Sequence, residues 1–144
     1  MTRVLQSGLP EQIADEEVLA RFLTSSRHYS VQKRLVRPEA FLPSEAHRET
    51  SVFRHSGEPR DTLWAIGKSV VGAESTRRLH GAALLPAAAV RGAALEVAAD
   101  EPPLLHAVIR AWPWPEDSKL RKAAHKEISA RLASAAGAPL LPGP

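Results

Sequence analysis

The spacing of apolar and polar residues along the chain predicts alternating helices and strands. Apolar side chains at helical spacing predict three longer helices: from Pro10 or Asp15 to Thr24, over 59–71, and from Asp117 or Ser118 to just before Gly137. Turn-bounded runs of apolar and β-branched residues predict strands at 31–36, 51–54, 79–85, 95–99 and 104–112. A short helix is predicted over 86–91, and a polar loop over 73–78.

The order of these elements favours an α+β fold over a strict βαβ array. We expect a single small domain with a mixed or antiparallel sheet of about 4–5 strands packed by about 3 helices. A chain of 144 residues is long enough to bury one hydrophobic core. The predicted organisation is a flexible leader at 1–10, the domain at 11–137 and a proline-rich tail at 138–144.

Composition narrows the chemistry. The chain has no cysteine, which excludes disulfides, thiolate catalysis and cysteine-ligated zinc. It has no apolar run long enough to span a membrane and no apolar region typical of a secretory signal, so we expect a cytoplasmic protein. The net charge of +3 is compatible with nucleic-acid binding but does not require it.

The predicted strand at 104–112 carries the most suggestive side chains. Alternation along a strand puts one set on a core face, Leu105, Ala107, Ile109 and Ala111, and the other set on the opposite face, His106, Val108, Arg110 and Trp112. A guanidinium, an indole and an imidazole in one row could bind an anionic or planar ligand. His80, near another strand, joins this surface if the two strands pair. The alternative is a solvent-facing strand or a buried histidine bonded to a backbone carbonyl.

Two further basic features are candidate sites. Arg54 closes the strand at 51–54, where an arginine can hold a phosphate or a partner's carboxylate, or form an ordinary ion pair. The last helix has a basic face opposite its apolar stripe, made of Lys119, Lys122, His125 and Lys126. Such a face could follow a phosphate backbone, although a solvated amphipathic helix needs a polar face in any case.

Common catalytic motifs are missing. The chain has no Gly-x-Ser-x-Gly and no complete phosphate-binding loop, because Thr62 stands where that loop needs a glycine upstream of Gly67-Lys68-Ser69. None of the six histidines lies at metal-ligand spacing from another, so we expect neither a metal nor a cofactor. Asp100 and Glu101 precede two prolines, where a turn is expected.

The segment 100–113 resembles a group of short, uncharacterised bacterial proteins. In their pattern an acidic residue and prolines precede His-Ala, a branched apolar residue and Trp-Pro, and Ser51-Val52-Phe53-Arg54 is similar to another part of it. The resemblance extends over about 21–133. It implies no activity, and it directs attention to Arg54, His106 and Trp112.

Three functions remain open, as does the question of whether the protein is an enzyme. The leading hypothesis is a non-enzymatic binding or accessory module that acts through a protein partner. The second is a small enzyme or ligand-binding domain for a phosphate-bearing molecule, which needs Arg54, His106 and Arg110 to converge in one pocket. The third is a nucleic-acid-binding protein that uses the last helix. The partner, the substrate and the oligomeric state are not specified by the sequence.

Overall fold

The computed structural model describes residues 5–71 and 78–142. Its three α-helices are α1 (Arg60–Val71), α2 (Ala87–Gly92) and α3 (Ser118–Ala136). Its strands are β1 (Val18–Leu23), β2 (Tyr29–Ser30), β3 (Leu35–Val36), β4 (Thr50–Arg54), β5 (Gly81–Pro86), β6 (Glu96–Ala99) and β7 (His106–Arg110). Short 3₁₀-helices lie at Ser26–His28 and Pro38–Phe41.

Five strands form one antiparallel sheet in the order β5-β1-β4-β7-β6. The strands β2 and β3 form a separate two-stranded ribbon. The predicted α+β class is therefore confirmed: a single small domain with a five-stranded sheet and three helices. None of the helices within the described ranges is both long and apolar enough to cross a membrane.

The sheet has a hydrophobic cluster on each face. On one face, Leu19 and Leu23 of β1 belong to a cluster with residues of α2, α3 and the second 3₁₀-helix. On the other face, Ala20 and Phe22 belong to a cluster with residues of α1. Because successive side chains of a strand point to opposite faces, β1 is buried on both sides.

The helix predicted to end at Thr24 is wrong, because its apolar residues form β1. A strand buried on both faces reads as a continuous apolar run, which periodicity cannot distinguish from a buried helix segment. Two acidic residues that precede β1 bind arginines. Asp15 pairs with Arg91, and Glu17 pairs with Arg54.

The other predicted elements are largely confirmed. The predicted strand at 31–36 is instead the turn at 31–34 and β3 of the β2–β3 hairpin, and most of the predicted loop at 73–78 lies outside the described residues. Asp117 caps α3 by accepting hydrogen bonds from two backbone amides, and Gly137 ends it with a φ of 66°. The buried face of α3 differs, however, from the apolar stripe that the helical repeat predicts, which consists of Leu120, Ala124, Ile128, Leu132 and Ala135. Leu120 is exposed, and Ser129, which lies outside the stripe, is fully buried.

The first and last segments that the structure describes both contact the sheet region. At the N-terminal end, the Ser7 amide donates to Glu101, and the Pro10 carbonyl accepts from Arg54. At the C-terminal end, Leu140 exchanges two backbone hydrogen bonds with Ala82, both of 2.8 Å. The described parts of the predicted leader and tail are thus attached to the domain.

Candidate functional site

The register of β4 and β7 brings a serine and a histidine together. Phe53 lies opposite His106, and Ser51 lies opposite Val108, so Ser51 and His106 are diagonal neighbours on one face of the sheet. Their side chains are hydrogen-bonded, with 2.7 Å between Ser51 Oγ and His106 Nε2. The Phe53 ring packs against the imidazole with 5.1 Å between ring centroids, which restricts how the imidazole can turn.

The turn before β7 places Asp100 at the other nitrogen of the same imidazole. Asp100 Oδ2 lies 3.1 Å from His106 Nδ1, and the Asp100 carbonyl oxygen lies 3.0 Å from it. Because both neighbours of Nδ1 are acceptors, the neutral ring carries its proton there, and Nε2 accepts the Ser51 hydroxyl proton. The Ser51 hydroxyl, the His106 imidazole and the Asp100 backbone carbonyl therefore form a continuous hydrogen-bonded chain, and the Asp100 carboxylate lies at ion-pair distance from Nδ1.

Glu101 holds the turn that carries Asp100. One carboxylate oxygen accepts a hydrogen bond from the Ser7 amide at 2.9 Å, and the other accepts from the Leu105 amide at 3.1 Å. Burial alone would raise the pKa of Glu101, but these hydrogen bonds and the charge of Arg54 outweigh it and hold the pKa below its usual value. The sequence-based interpretation of this segment as a turn is confirmed, but it did not foresee what the turn positions.

The Ser51–His106 pair opens into a cleft of about 470 Å³, called here the Ser51 cleft, which is lined by Arg21, Leu42, Ser44, His47, Glu49, Thr50, Ser51, His106 and Val108. The side chain of Arg21, one of these lining residues, is held by two backbone carbonyl groups. Its Nε donates to the Ala40 carbonyl at 2.8 Å, and its Nη1 donates to the Ser51 carbonyl at 2.9 Å. The cleft therefore combines a guanidinium, a carboxylate, hydroxyls and two imidazoles.

Arg54, a predicted ligand residue, is buried and bound inside the protein. Its side chain is 1% exposed and makes two hydrogen bonds to the Glu17 carboxylate, of 2.8 and 2.9 Å. A third bond, of 2.7 Å, goes to the Pro10 carbonyl. In this structure Arg54 connects the segment before β1 to the sheet.

Trp112 does not share a face with His106. Ala111 has a φ of 70°, which interrupts the alternation of β7 and turns Trp112 into the cluster beneath α3. Leu105 has a φ of 67° and joins the cluster of the opposite face. The predicted row is therefore wrong for Trp112, whereas His106 and Arg110 share a face, because alternation holds within His106–Arg110.

The remaining strand candidates also lie outside the Ser51 cleft. Arg110 is exposed and pairs with Glu96 across β6 and β7 at 3.1 Å. His80 Nδ1 is hydrogen-bonded to the Tyr29 hydroxyl at 2.9 Å. Of the five predicted ligand residues, Arg54, His80, His106, Arg110 and Trp112, only His106 lines the cleft.

The predicted basic face of α3 loses one member. Lys119, Lys122 and Lys126 are exposed, but His125 is buried. The His125 ring packs against Trp112 and Trp114, and its Nε2 lies 2.7 Å from the Pro113 carbonyl oxygen. A helical wheel placed this histidine on the polar side because it ignores how α3 is rotated against the sheet.

Sequence reasoning missed Ser51, Asp100 and Arg21 as site residues. It did predict both strands that carry Ser51 and His106, and it recognised the turn that carries Asp100. If these two strands are paired in each possible register, one of the registers makes Ser51 and His106 neighbours. The sequence offers no signal that selects this register, and Arg21 was assigned to a helix.

No family model, curated protein or solved structure matches this chain significantly. The described residues also contain no group of three or more histidine or acidic side chains that could hold a metal ion. The case for a function therefore depends on the geometry of the Ser51 cleft.

Proposed function

We propose that this protein binds a small polar molecule in the Ser51 cleft. The observation that carries the proposal is the Ser51–His106–Asp100 chain, which presents an oriented hydroxyl and imidazole to a cleft of about 470 Å³. Small-molecule sites occupy about 300–1,000 Å³ and use a few fixed polar groups to orient the ligand. This volume is in that range.

This proposal develops the second sequence-based hypothesis but uses different residues. That hypothesis needed Arg54, His106 and Arg110 in one pocket, and only His106 lines the cleft. Arg21 takes the place of the other two arginines as the cationic lining residue, and Glu49 adds a carboxylate to the same cleft. A ligand with a hydrogen-bond-accepting head group, such as an ester or a phosphate, matches the hydroxyl and imidazole groups present.

Amide NMR spectra of the uniformly labelled chain test this function. The protein is titrated separately with methyl acetate, acetate and inorganic phosphate, and shifts are mapped onto the residues. We expect saturable shifts at Ser51, His106 and Val108 for at least one probe. Ser44→Trp, which puts a bulky group on the cleft wall, should abolish these shifts. Ser134→Trp, at an exposed position of α3, should leave them unchanged. Shifts scattered over the surface, or none with any probe, would refute the proposal.

Protein-partner binding is the second candidate, and a separate observation favours it. Three large apolar side chains, Val31, Leu35 and Leu141, are 62%, 37% and 40% exposed, and together with Arg34 they line two adjoining grooves. Exposed apolar side chains that cluster in this way are typical of partner-binding surfaces. In a pull-down from the native host, Val31→Asp should no longer recover the partner. Val70→Asp, at an exposed position of α1, should recover it like the wild type. Equal recovery by both variants would count against this surface.

A further inference from the structure

We propose that Ser51 is a nucleophile that cleaves a carboxylic ester bound in the Ser51 cleft. This inference rests on the ligand-binding function proposed above and adds a reaction to it. Nucleophilic serines need a base within about 2.6–3.2 Å and a third group that orients the base. Ser51, His106 and Asp100 meet both conditions: Oγ lies 2.7 Å from Nε2, while Nδ1 is hydrogen-bonded to the Asp100 carbonyl at 3.0 Å and lies 3.1 Å from the Asp100 carboxylate.

The surroundings hold the base in the orientation that the reaction requires. The imidazole of His106 is only 13% exposed, packs on Phe53 and is held at Nδ1 by two oxygens of Asp100. Ser51 lies within β4, which is paired with β7 through four successive residue pairs. Both reacting groups are thus on rigid strands, and little ordering remains to be done when a substrate binds.

The Ser51 cleft also supplies a charge for the transition state. Arg21 is the one arginine or lysine among the lining residues, and its Nη1 lies 2.9 Å from the Ser51 carbonyl oxygen. When Ser51 Oγ attacks an ester carbonyl, the oxyanion forms in the same cleft that this guanidinium lines. Fixed positive charge near a developing oxyanion lowers the barrier of acyl transfer.

The proposed reaction is balanced without any further reagent. Ser51 Oγ forms a bond to the ester carbonyl carbon, while its proton moves to His106 Nε2. The tetrahedral intermediate then breaks its carbon–oxygen bond, and His106 gives that proton to the leaving alcohol. Water attacks the acyl-serine with His106 again taking the proton, which returns to Ser51 Oγ as the carboxylic acid leaves. One ester and one water yield one acid and one alcohol.

Asp100 acts in this scheme as a positioning residue. Its carboxylate is 57% exposed and contacts His106 rather than the cleft. Replacing it with asparagine keeps the backbone carbonyl that also contacts Nδ1, at 3.0 Å. The amide group can, however, donate to that nitrogen and favour the wrong tautomer, so the variant should react more slowly while binding substrate equally well.

A fluorophosphonate probe tests for an activated serine. Attack by Ser51 Oγ forms an oxygen–phosphorus bond and expels fluoride, and His106 accepts the proton. Peptide mass spectrometry of the full chain should find the adduct on Ser51. His106→Gln should slow labelling by about 100-fold or more, since general bases contribute about 10²–10⁴-fold. Ser69→Ala, at an exposed position of α1, is the matched serine control, and this variant should be labelled as fast as the wild type.

Hydrolysis of p-nitrophenyl acetate provides the second readout. Ser51→Ala should reduce the rate to the background of the other nucleophiles, and Asp100→Asn should lower kcat with KM unchanged. Circular dichroism and thermal melting check that each variant folds, and the exposed Asp100 substitution remains informative if His106→Gln does not fold. Wild type without a Ser51 adduct, or Ser51→Ala that hydrolyses the ester as fast as the wild type, would overturn the proposal. Probe-induced NMR shifts without labelling would remove only the reaction, whereas no shifts and no labelling would remove the binding function as well.

Discussion

Replacing Arg54 with methionine separates a structural role from a ligand-binding role. The guanidinium is almost fully buried, and it makes three hydrogen bonds to Glu17 and Pro10. Methionine keeps much of the side-chain length but cannot make these bonds. If Arg54 served only to bind a ligand, its loss would leave the folded state nearly as stable as before.

The structure allows the cost to be estimated. Removing one partner of a buried ion pair costs about 3–5 kcal/mol, because the other charge stays buried without compensation. Glu17 is 16% exposed and keeps a hydrogen bond of 2.8 Å from the Ala14 amide, so the lower end of this range applies. We expect Arg54→Met to lower the free energy of unfolding by about 3 kcal/mol. For a chain of this size the melting temperature should fall by about 6–12 °C.

Urea denaturation followed by tryptophan fluorescence measures this change, since the chain has three tryptophans. The variants Arg54→Met, Glu17→Gln and the double variant form a cycle that isolates the pairwise term. The double variant should lose less stability than the sum of the losses of the two single variants, because it leaves no unpaired buried charge. A loss below about 1 kcal/mol for Arg54→Met would place the pair among weak surface ion pairs and refute the reasoning.

Three other substitutions test separate features of the fold. Ser129→Ala should raise the free energy of unfolding by about 1 kcal/mol, because the fully buried hydroxyl has no hydrogen-bond partner among the described residues. Chemical denaturation that gives the variant a lower free energy of unfolding than the wild type would contradict this. A Cβ added at Gly81 would lie 2.5 Å from the carbonyl oxygen of Leu140. Gly81→Ala should therefore lower the free energy of unfolding by about 1–3 kcal/mol and speed amide hydrogen exchange at Leu140. Unchanged exchange would show that the tail does not pair with β5. Burial lowers the pKa of His55, so the unfolded state binds more protons below about pH 6.5 and stability falls as the pH drops through that value. His55→Gln should make the free energy of unfolding depend less steeply on pH between 7.5 and 5.5. If the variant and the wild type show the same dependence, the loss of stability does not come from His55.

Much of the local structure could be predicted because it depends on neighbouring residues. The caps of α3 at Asp117 and Gly137 are a side-chain acceptor and a glycine at a positive φ, both legible in the sequence. The strand β4 likewise agrees with its β-branched and aromatic residues. The error at β1 has the opposite origin, since only burial on both faces distinguishes that apolar run from a helix.

The candidate site was less predictable than the fold. His106 was selected from its strand, but Trp112 does not share its face, and Arg110, which does, lies outside the cleft. The positive φ of Ala111 turns Trp112 away, although alanine rarely adopts that conformation and the sequence gives no warning of it. Arg54 was recognised as unusual, yet its partner Glu17 lies 37 residues away, beyond the reach of any local pattern.

By itself, the sequence determined which local elements could form and which chemistry was possible. It specified a helix with clear ends at α3, the two strands that contain Ser51 and His106, and a set of side chains without any thiol. Tertiary structure alone decided the pairing register that joins Ser51 to His106 across 55 residues and the turn geometry that adds Asp100. The physical reason is that register depends on the simultaneous burial of both sheet faces, which is a property of the whole packed chain rather than of any one segment.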